Sequence, residues 1–312
     1  MKQRRRLPAR LGILLVLPLV LAASACDTRK EAARCLRELE QLPRDPTTGY
    51  LKGVRPLDFG KGRRTGVLLL HGFGGTPQDF GELPYTLEHD GFRVWAPLLP
   101  GHGTTPRDLK PLTVDDFVAA TEKAYARLRT ECDKVAVVGF SMGGALATRL
   151  VRDTTQPRPD ALVLASPYFG ITYRWFHILP PETWIRLVGT KHDFVKWDKS
   201  VCTTGQRDFF VYEAMASEAL LMLVDLGRDL RRNPPDAVPP HSLLIYSPGD
   251  PVASHHLMEK MARHWKLTES SRFTLNKEMH RIFNYCERDL AVRTVADFLK
   301  KHLGEAGKAA GR

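Results

Sequence analysis

The body of this 312-residue chain lacks any apolar run long enough to span a bilayer, which excludes a membrane-embedded core for it. Internal repeats and low-complexity tracts are also missing, so a solenoid or a linker-like polypeptide is excluded. Five cysteines are present, and none falls in a Cys-x-x-Cys spacing; no metal site is expected. The glycine-rich stretch at 71–75 is followed by neither Gly-x-Gly-x-x-Gly nor Gly-Lys-Ser/Thr, so it is not read as a phosphate cradle. The longest stretch without an acidic residue is the first 26 residues, and what fills that segment explains much of the net charge of +11.

Lys2, Arg4, Arg5, Arg6 and Arg10 form a basic leader, followed by an apolar run from Leu11 to Leu21 and the small residues Ala22 to Ala25. That charge–apolar–small layout is an export signal, with a hydrophobic centre too short to cross a membrane. Ala23-Ser24-Ala25-Cys26 resembles a bacterial lipobox, which implies acylation of Cys26 and anchoring to a bacterial membrane as a cell-envelope lipoprotein; the alternative is a soluble secreted or periplasmic protein. The basic run is a targeting segment, so no nucleic-acid partner is expected, and its five charges take the chain from +11 to +6 when removed. Export leaves Cys35, Cys132, Cys202 and Cys286 in an oxidising compartment, with three possible pairings that spacing does not choose among.

Residues 27–49 read as a tether, with a short charged helical pattern from Asp27 to Gln41 ended by Pro43, Pro46 and Gly49. From Tyr50 onward, strands and helices alternate. Gly66–Leu70, Phe92–Ala96, Val135–Val138, Ala161–Leu164, Leu243–Tyr246 and Ser271–Asn276 are expected strands. Asp79–His89, Val114–Leu128, a segment from Met142 and Glu287–His302 are expected helices. This alternation predicts an α/β fold with a mostly parallel sheet covered on both faces. The expected core spans 50–167 and 241–312, and residues 168–240 form an inserted cap at the sheet's C-terminal edge, where α/β folds bind ligands. Aromatics are dense in that insertion: Tyr168, Phe169, Tyr173, Trp175, Phe176, Trp184, Trp197, Phe209 and Phe210 either build the cap's own core or roof an apolar pocket.

Gly139-Phe140-Ser141-Met142-Gly143 carries the chemistry. It follows an expected strand and opens an expected helix, the strand–turn–helix setting of a nucleophile elbow. Gly139 and Gly143 supply the space that such a turn needs. A serine hydroxyl is a poor nucleophile at neutral pH, so it needs a base, and the base an orienting acid, in the chain order Ser, Asp, His. Asp250, in a Pro-Gly turn directly after Leu243–Tyr246, and His280, after the last strand, meet that order. Asp225, Asp229, Asp236, His255, His256 and His302 lie in the insertion or at helix ends and fit less well. For the oxyanion, the expected donors are the backbone N–H of Met142 and that of Phe73.

Together with Pro100-Gly101-His102-Gly103, these motifs resemble bacterial carboxylesterases and monoacylglycerol lipases of the α/β-hydrolase superfamily, over about Gly66 to Leu303. The resemblance implies the α/β-hydrolase fold, hydrolysis of carboxylic esters through an acyl-enzyme on Ser141, a small-molecule or lipid ester substrate, and no cofactor. It departs from the family at Lys277-Glu278-Met279-His280-Arg281, where a Ser-x-His setting is common. The same three side chains would also serve an acyltransferase, thioesterase or peptidase, and a non-catalytic lipid-binding protein on this fold is the reading from another class.

Overall fold

The computed structural model describes residues 30–172, 210–277 and 279–304, with the backbone of 194–196. The signal segment with Cys26 and most of the aromatic insertion, Cys202 included, lie outside the described residues. A seven-stranded sheet forms the centre, in the order β1-β3-β2-β4-β5-β8-β9. Its strands are β1 (Leu57–Phe59), β2 (Thr65–Leu70), β3 (Arg93–Ala96), β4 (Lys134–Phe140), β5 (Ala161–Ala165), β8 (Ser242–Tyr246) and β9 (Arg272–Thr274). All neighbours run parallel except β1, which pairs antiparallel with β3. This is the mostly parallel α/β sheet that the alternation predicted, in the α/β-hydrolase architecture that the family resemblance implied.

Continuous apolar strands follow from burial on both faces. Leu68, Leu70, Val135, Val137, Leu162 and Leu164 point into one layer; Val67, Leu69, Ala136, Val138 and Val163 point into the other. The first layer is closed by α3 (Val114–Glu131), α4 (Met142–Asp153), α5 (Ser217–Arg232) and α6 (His255–His264), the second by α2 (Leu83–His89) and α7 (Arg288–Leu303). Each fully buried Leu or Val here contributes about 1.5–3 kcal/mol. Among the described residues no helix is long and apolar enough to cross a membrane.

Three local differences from the sequence reading have physical causes. The helix expected from Asp79 begins only at Leu83, after a separate 3-10 turn over Pro77–Phe80. Asp79 turns its carboxylate inward onto the Gly72 N–H, and Pro84, which lacks an N–H, suits the start of the next helix. Strand β1 carries no periodic signal in three residues. It is held by tertiary contacts: the buried Arg93 guanidinium pairs with Asp58 at 2.6 Å and Glu131 at 2.7 Å and donates to the Phe59 carbonyl at 3.0 Å. Strand β9 is only three residues long: a 3-10 turn, Glu269–Ser271, takes its first expected position, and its pairing with β8 stops at Thr274, two residues before the expected end.

The segment expected to be a tether contains a helix, α1, over residues 30–40, with Ala32, Cys35 and Leu36 buried against Ala214. Cys35 and Cys132 remain thiols, and Cys286 is disulfide-bonded. Between β5 and β8, the described part of the long connection includes the antiparallel pair β6 (Phe194–Lys196) and β7 (Ala214–Ala216), then α5. The buried face of α5 packs against α4 in the same core layer, and Asp229 reaches Arg149 and Arg152 at 2.8 and 2.9 Å.

Candidate active site

Strand β4 ends at Phe140 and helix α4 begins at Met142, leaving Ser141 alone in the turn, with φ 52° and ψ −116°. A non-glycine residue there costs about 1–3 kcal/mol, which the surrounding structure must offset. The chain crosses itself so closely that a β-carbon on Gly143 would overlap the Leu70 carbonyl, and one on Gly139 would overlap Gly143. The Ser141 N–H donates to Ala165 O at 3.0 Å, and Ser141 O accepts from Tyr168 N–H at 2.9 Å, so the strained residue is anchored from both sides.

Asp250 leaves the end of β8 and is wholly buried. Its Oδ1 accepts the N–H groups of Val252 and Ala253 at 2.7 and 2.9 Å, which fixes the carboxylate plane. Its Oδ2 lies 2.7 Å from His280 Nδ1, and His280 Nε2 lies 2.8 Å from Ser141 Oγ. With Nδ1–H donating to the carboxylate, Nε2 turns its lone pair to the hydroxyl. The imidazole is steadied by the Phe140 ring, 5.1 Å away between centroids. Ser141 is 7% exposed and the His280 side chain 13%, so the hydroxyl and ring are shielded but reachable. The structure thus brings together three side chains that stand 30 and 139 positions apart. Where the family commonly has a serine two residues before the histidine, this chain supports the loop differently: Ser247 Oγ donates to the Lys277 carbonyl at 2.6 Å.

Met142 is the first residue of α4, where backbone N–H groups have no partner within the helix and the positive end of the helix dipole favours negative charge. Phe73 lies on the loop after β2, buried, and that loop touches the first turn of α4 through Leu70 and His71. Two histidines, from the 71–75 and 100–103 motifs, hold this loop. His71 Nδ1 donates to Gly72 O at 2.9 Å, and its Nε2 accepts the Leu99 N–H at 3.0 Å. His102 Nδ1 donates to Pro100 O at 2.8 Å, and its Nε2 accepts the Gly74 N–H at 2.9 Å. Burial pushes His71 down to about 4 and His102 to about 3, so both are neutral near pH 7. The far side of the loop is tied to the β5–β8 connection: Tyr212 N–H donates to Gly74 O at 2.8 Å, and its hydroxyl donates to Gly101 O at 3.1 Å. The signal for these histidines was their placement, each beside glycine in a loop after a strand.

The competing residues are engaged elsewhere. Asp229 pairs with Arg149 and Arg152, and Asp225 with Arg228. The rings of His255 and His256 lie against each other at the start of α6, and His302 rests on Phe298 at the end of α7.

Comparison with known proteins places the chain in a family. Residues 67–283 match the model of the alpha/beta hydrolase family. The chain is 27% identical over 267 residues to a carboxylesterase of Bacillus subtilis (strain 168), covering 80% of this chain and 99% of that one. It is 39% identical over 100 residues to a thermostable monoacylglycerol lipase of Bacillus sp. (strain H-257), a match over 32% of this chain and only 40% of that lipase's length. Among solved structures, it is similar to one from a study of LipS and LipT, two metagenome-derived lipolytic enzymes, with a TM-score of 0.69, 25% identity, and coverage of 81% of this chain and 100% of the other. A monoacylglycerol lipase of Paleococcus ferrophilus shares the fold at a TM-score of 0.63 and 19% identity, over 80% of this chain and 99% of that one. The chain belongs to the alpha/beta hydrolase family, on its esterase- and lipase-like side.

Proposed function

We propose that this protein hydrolyses carboxylic esters through an acyl-enzyme on Ser141. The observation that carries the reading is the line of contacts from Asp250 Oδ2 through His280 to Ser141 Oγ, at 2.7 and 2.8 Å. His280 takes the hydroxyl proton as Oγ forms a bond to the ester carbonyl carbon, and Asp250 stabilises the imidazolium. The carbonyl oxygen becomes an oxyanion, met by the N–H groups of Met142 and Phe73. Collapse of the tetrahedral adduct breaks the bond to the alcohol oxygen, which leaves with the proton from His280. Water, deprotonated by the same imidazole, then attacks the acyl group, releases the acid and returns the proton to Ser141.

The substrate class we favour is the monoacylglycerol or a similar medium-chain ester. The names of two relatives support it, as does the aromatic content of 168–240, read as a cap over a core of 50–167 and 241–312. The leader of residues 1–26 and Cys26 support export and lipid anchoring, with residues 27–49 leading from the membrane to the enzyme. The test is direct. Purified wild-type protein should hydrolyse p-nitrophenyl butyrate, Ser141→Ala should lose about 10⁴-fold or more in kcat, and a fluorophosphonate should label the peptide containing Ser141. An inert wild type that is not labelled rules the reading out.

A further inference from the structure

The segment carrying His280 and the loop carrying Phe73 lie about 200 positions apart in the chain, yet one buried ion pair joins them. Arg281, next to His280, donates from Nη1 to Asp79 Oδ1 at 2.5 Å. The other oxygen of Asp79, Oδ2, accepts the Gly72 N–H at 3.1 Å. Asp79 is fully buried, and the Arg281 side chain is mostly buried, at 12% exposure. The carboxylate fits because residue 75 is glycine; a β-carbon there would overlap it. The surrounding contacts run the same way. Asn284 Nδ2 donates to Gln78 O at 3.1 Å, and the rings of Phe80 and Phe283 lie 5.7 Å apart between centroids.

We infer that Asp79 and Arg281 form a positioning pair that clamps the histidine segment to the oxyanion loop. The inference rests on the reading of Ser141, His280 and the Phe73 N–H given above. The physical need is spacing: base and oxyanion donors must keep their relative places to within about 0.5 Å, and they belong to two loops far apart in the chain, so tertiary contacts must hold them. A charge-assisted hydrogen bond between buried groups supplies a strong and directional link. It acts close to the donor itself. With the Gly72 N–H bound to Asp79 and the Gly74 N–H bound to His102, the positions on both sides of Phe73 are anchored, and the direction of its own N–H is set between them. Neither partner can be lost alone, since a buried carboxylate without its cation is strongly disfavoured. Asp79 and Arg281 act through Phe73 and His280 and are assigned no contact with substrate.

The test uses the purified protein and p-nitrophenyl butyrate, with far-UV circular dichroism and thermal melting to show that each variant is folded. A misplacement of about 1 Å costs up to about 10²-fold in rate, so Arg281→Met should lower kcat by roughly 10- to 100-fold with KM within about twofold. Arg281→Lys, which keeps the charge but not the planar fork, should fall in between. Guanidinium chloride at millimolar concentration should restore part of the activity of Arg281→Ala and none to Ser141→Ala. The double variant Asp79→Asn with Arg281→Met should lose no more than the worse single variant, because one clamp is removed once. A folded Arg281→Met with wild-type kcat overturns the inference, as do losses that multiply in the double variant. Should Arg281→Met fail to fold, Arg281→Lys decides: a lower kcat at an unchanged melting temperature supports the clamp, and an unchanged kcat overturns it. An active wild type is common to every outcome here; an inert one removes the functional reading itself.

Discussion

The ring nitrogens of His280 meet a carboxylate and a hydroxyl, whereas those of His71 and His102 meet only peptide groups. All three imidazoles donate from Nδ1 and turn Nε2 toward a proton donor. The difference lies in what stands at each end. A hydroxyl can give up its proton while a carboxylate steadies the charge that results, so the first ring can cycle. An amide N–H cannot give up its proton, so the other two rings serve as fixed joints between the 71–75 loop and the 99–103 loop. Exposure follows the same division: the His280 side chain is partly open, and the two stapling rings are buried, their centroids 4.8 Å apart.

The largest expected effect that tests this contrast is on catalysis. His280→Gln should lower kcat by about 10⁴-fold and leave the melting temperature near that of wild type; a variant that stays active would show that another base serves Ser141. Next comes stability. His102→Leu removes the acceptor for the Gly74 N–H and the donor to Pro100 O, and should cost about 2–6 kcal/mol in urea unfolding, since each buried group left unpaired costs about 1–3 kcal/mol. Its kcat should fall far less than that of His280→Gln. A His102→Leu protein as stable as wild type would break the comparison.

The third effect is a pH dependence, and its sign follows from the lowered values. Unfolded, both histidines titrate near 6.5; folded, at about 4 and about 3. Below 6.5 the unfolded chain binds protons that the folded one refuses, so the stability from these two groups is complete above 6.5 and is lost as pH falls toward 4. By pH 5.5 the loss should be on the order of 1–3 kcal/mol for the pair, measured as a falling melting temperature between pH 7 and 5.5. The slope should be shallower in His102→Leu. An unchanged slope in that variant would assign the pH effect to other groups.

How much could be read in advance depended on how local the cause was. The elbow was legible because its geometry is decided within five residues: a strand, a serine in a strained turn, a helix, and glycines where backbones touch. Asp250 and His280 were legible because each follows a strand that runs toward the same edge of a parallel sheet. The onset of α2 was not, because Asp79 is drawn inward by Gly72 and Arg281, which pattern within the segment does not reveal. Strand β1 was missed for a similar reason, since the buried charge of Arg93 on the neighbouring strand holds it in place.

The amino-acid order by itself determined the alternation of strands and helices and the nucleophile's turn, because hydrophobic period and steric room act over a few neighbouring residues. The tertiary structure alone decided which loops face each other and which ring nitrogen meets which partner. A hydrogen bond between residues 202 positions apart, such as that of Arg281 to Asp79, has no local correlate. It exists because the parallel sheet brings two strand ends to one edge, and the packing around them excludes water from the space between.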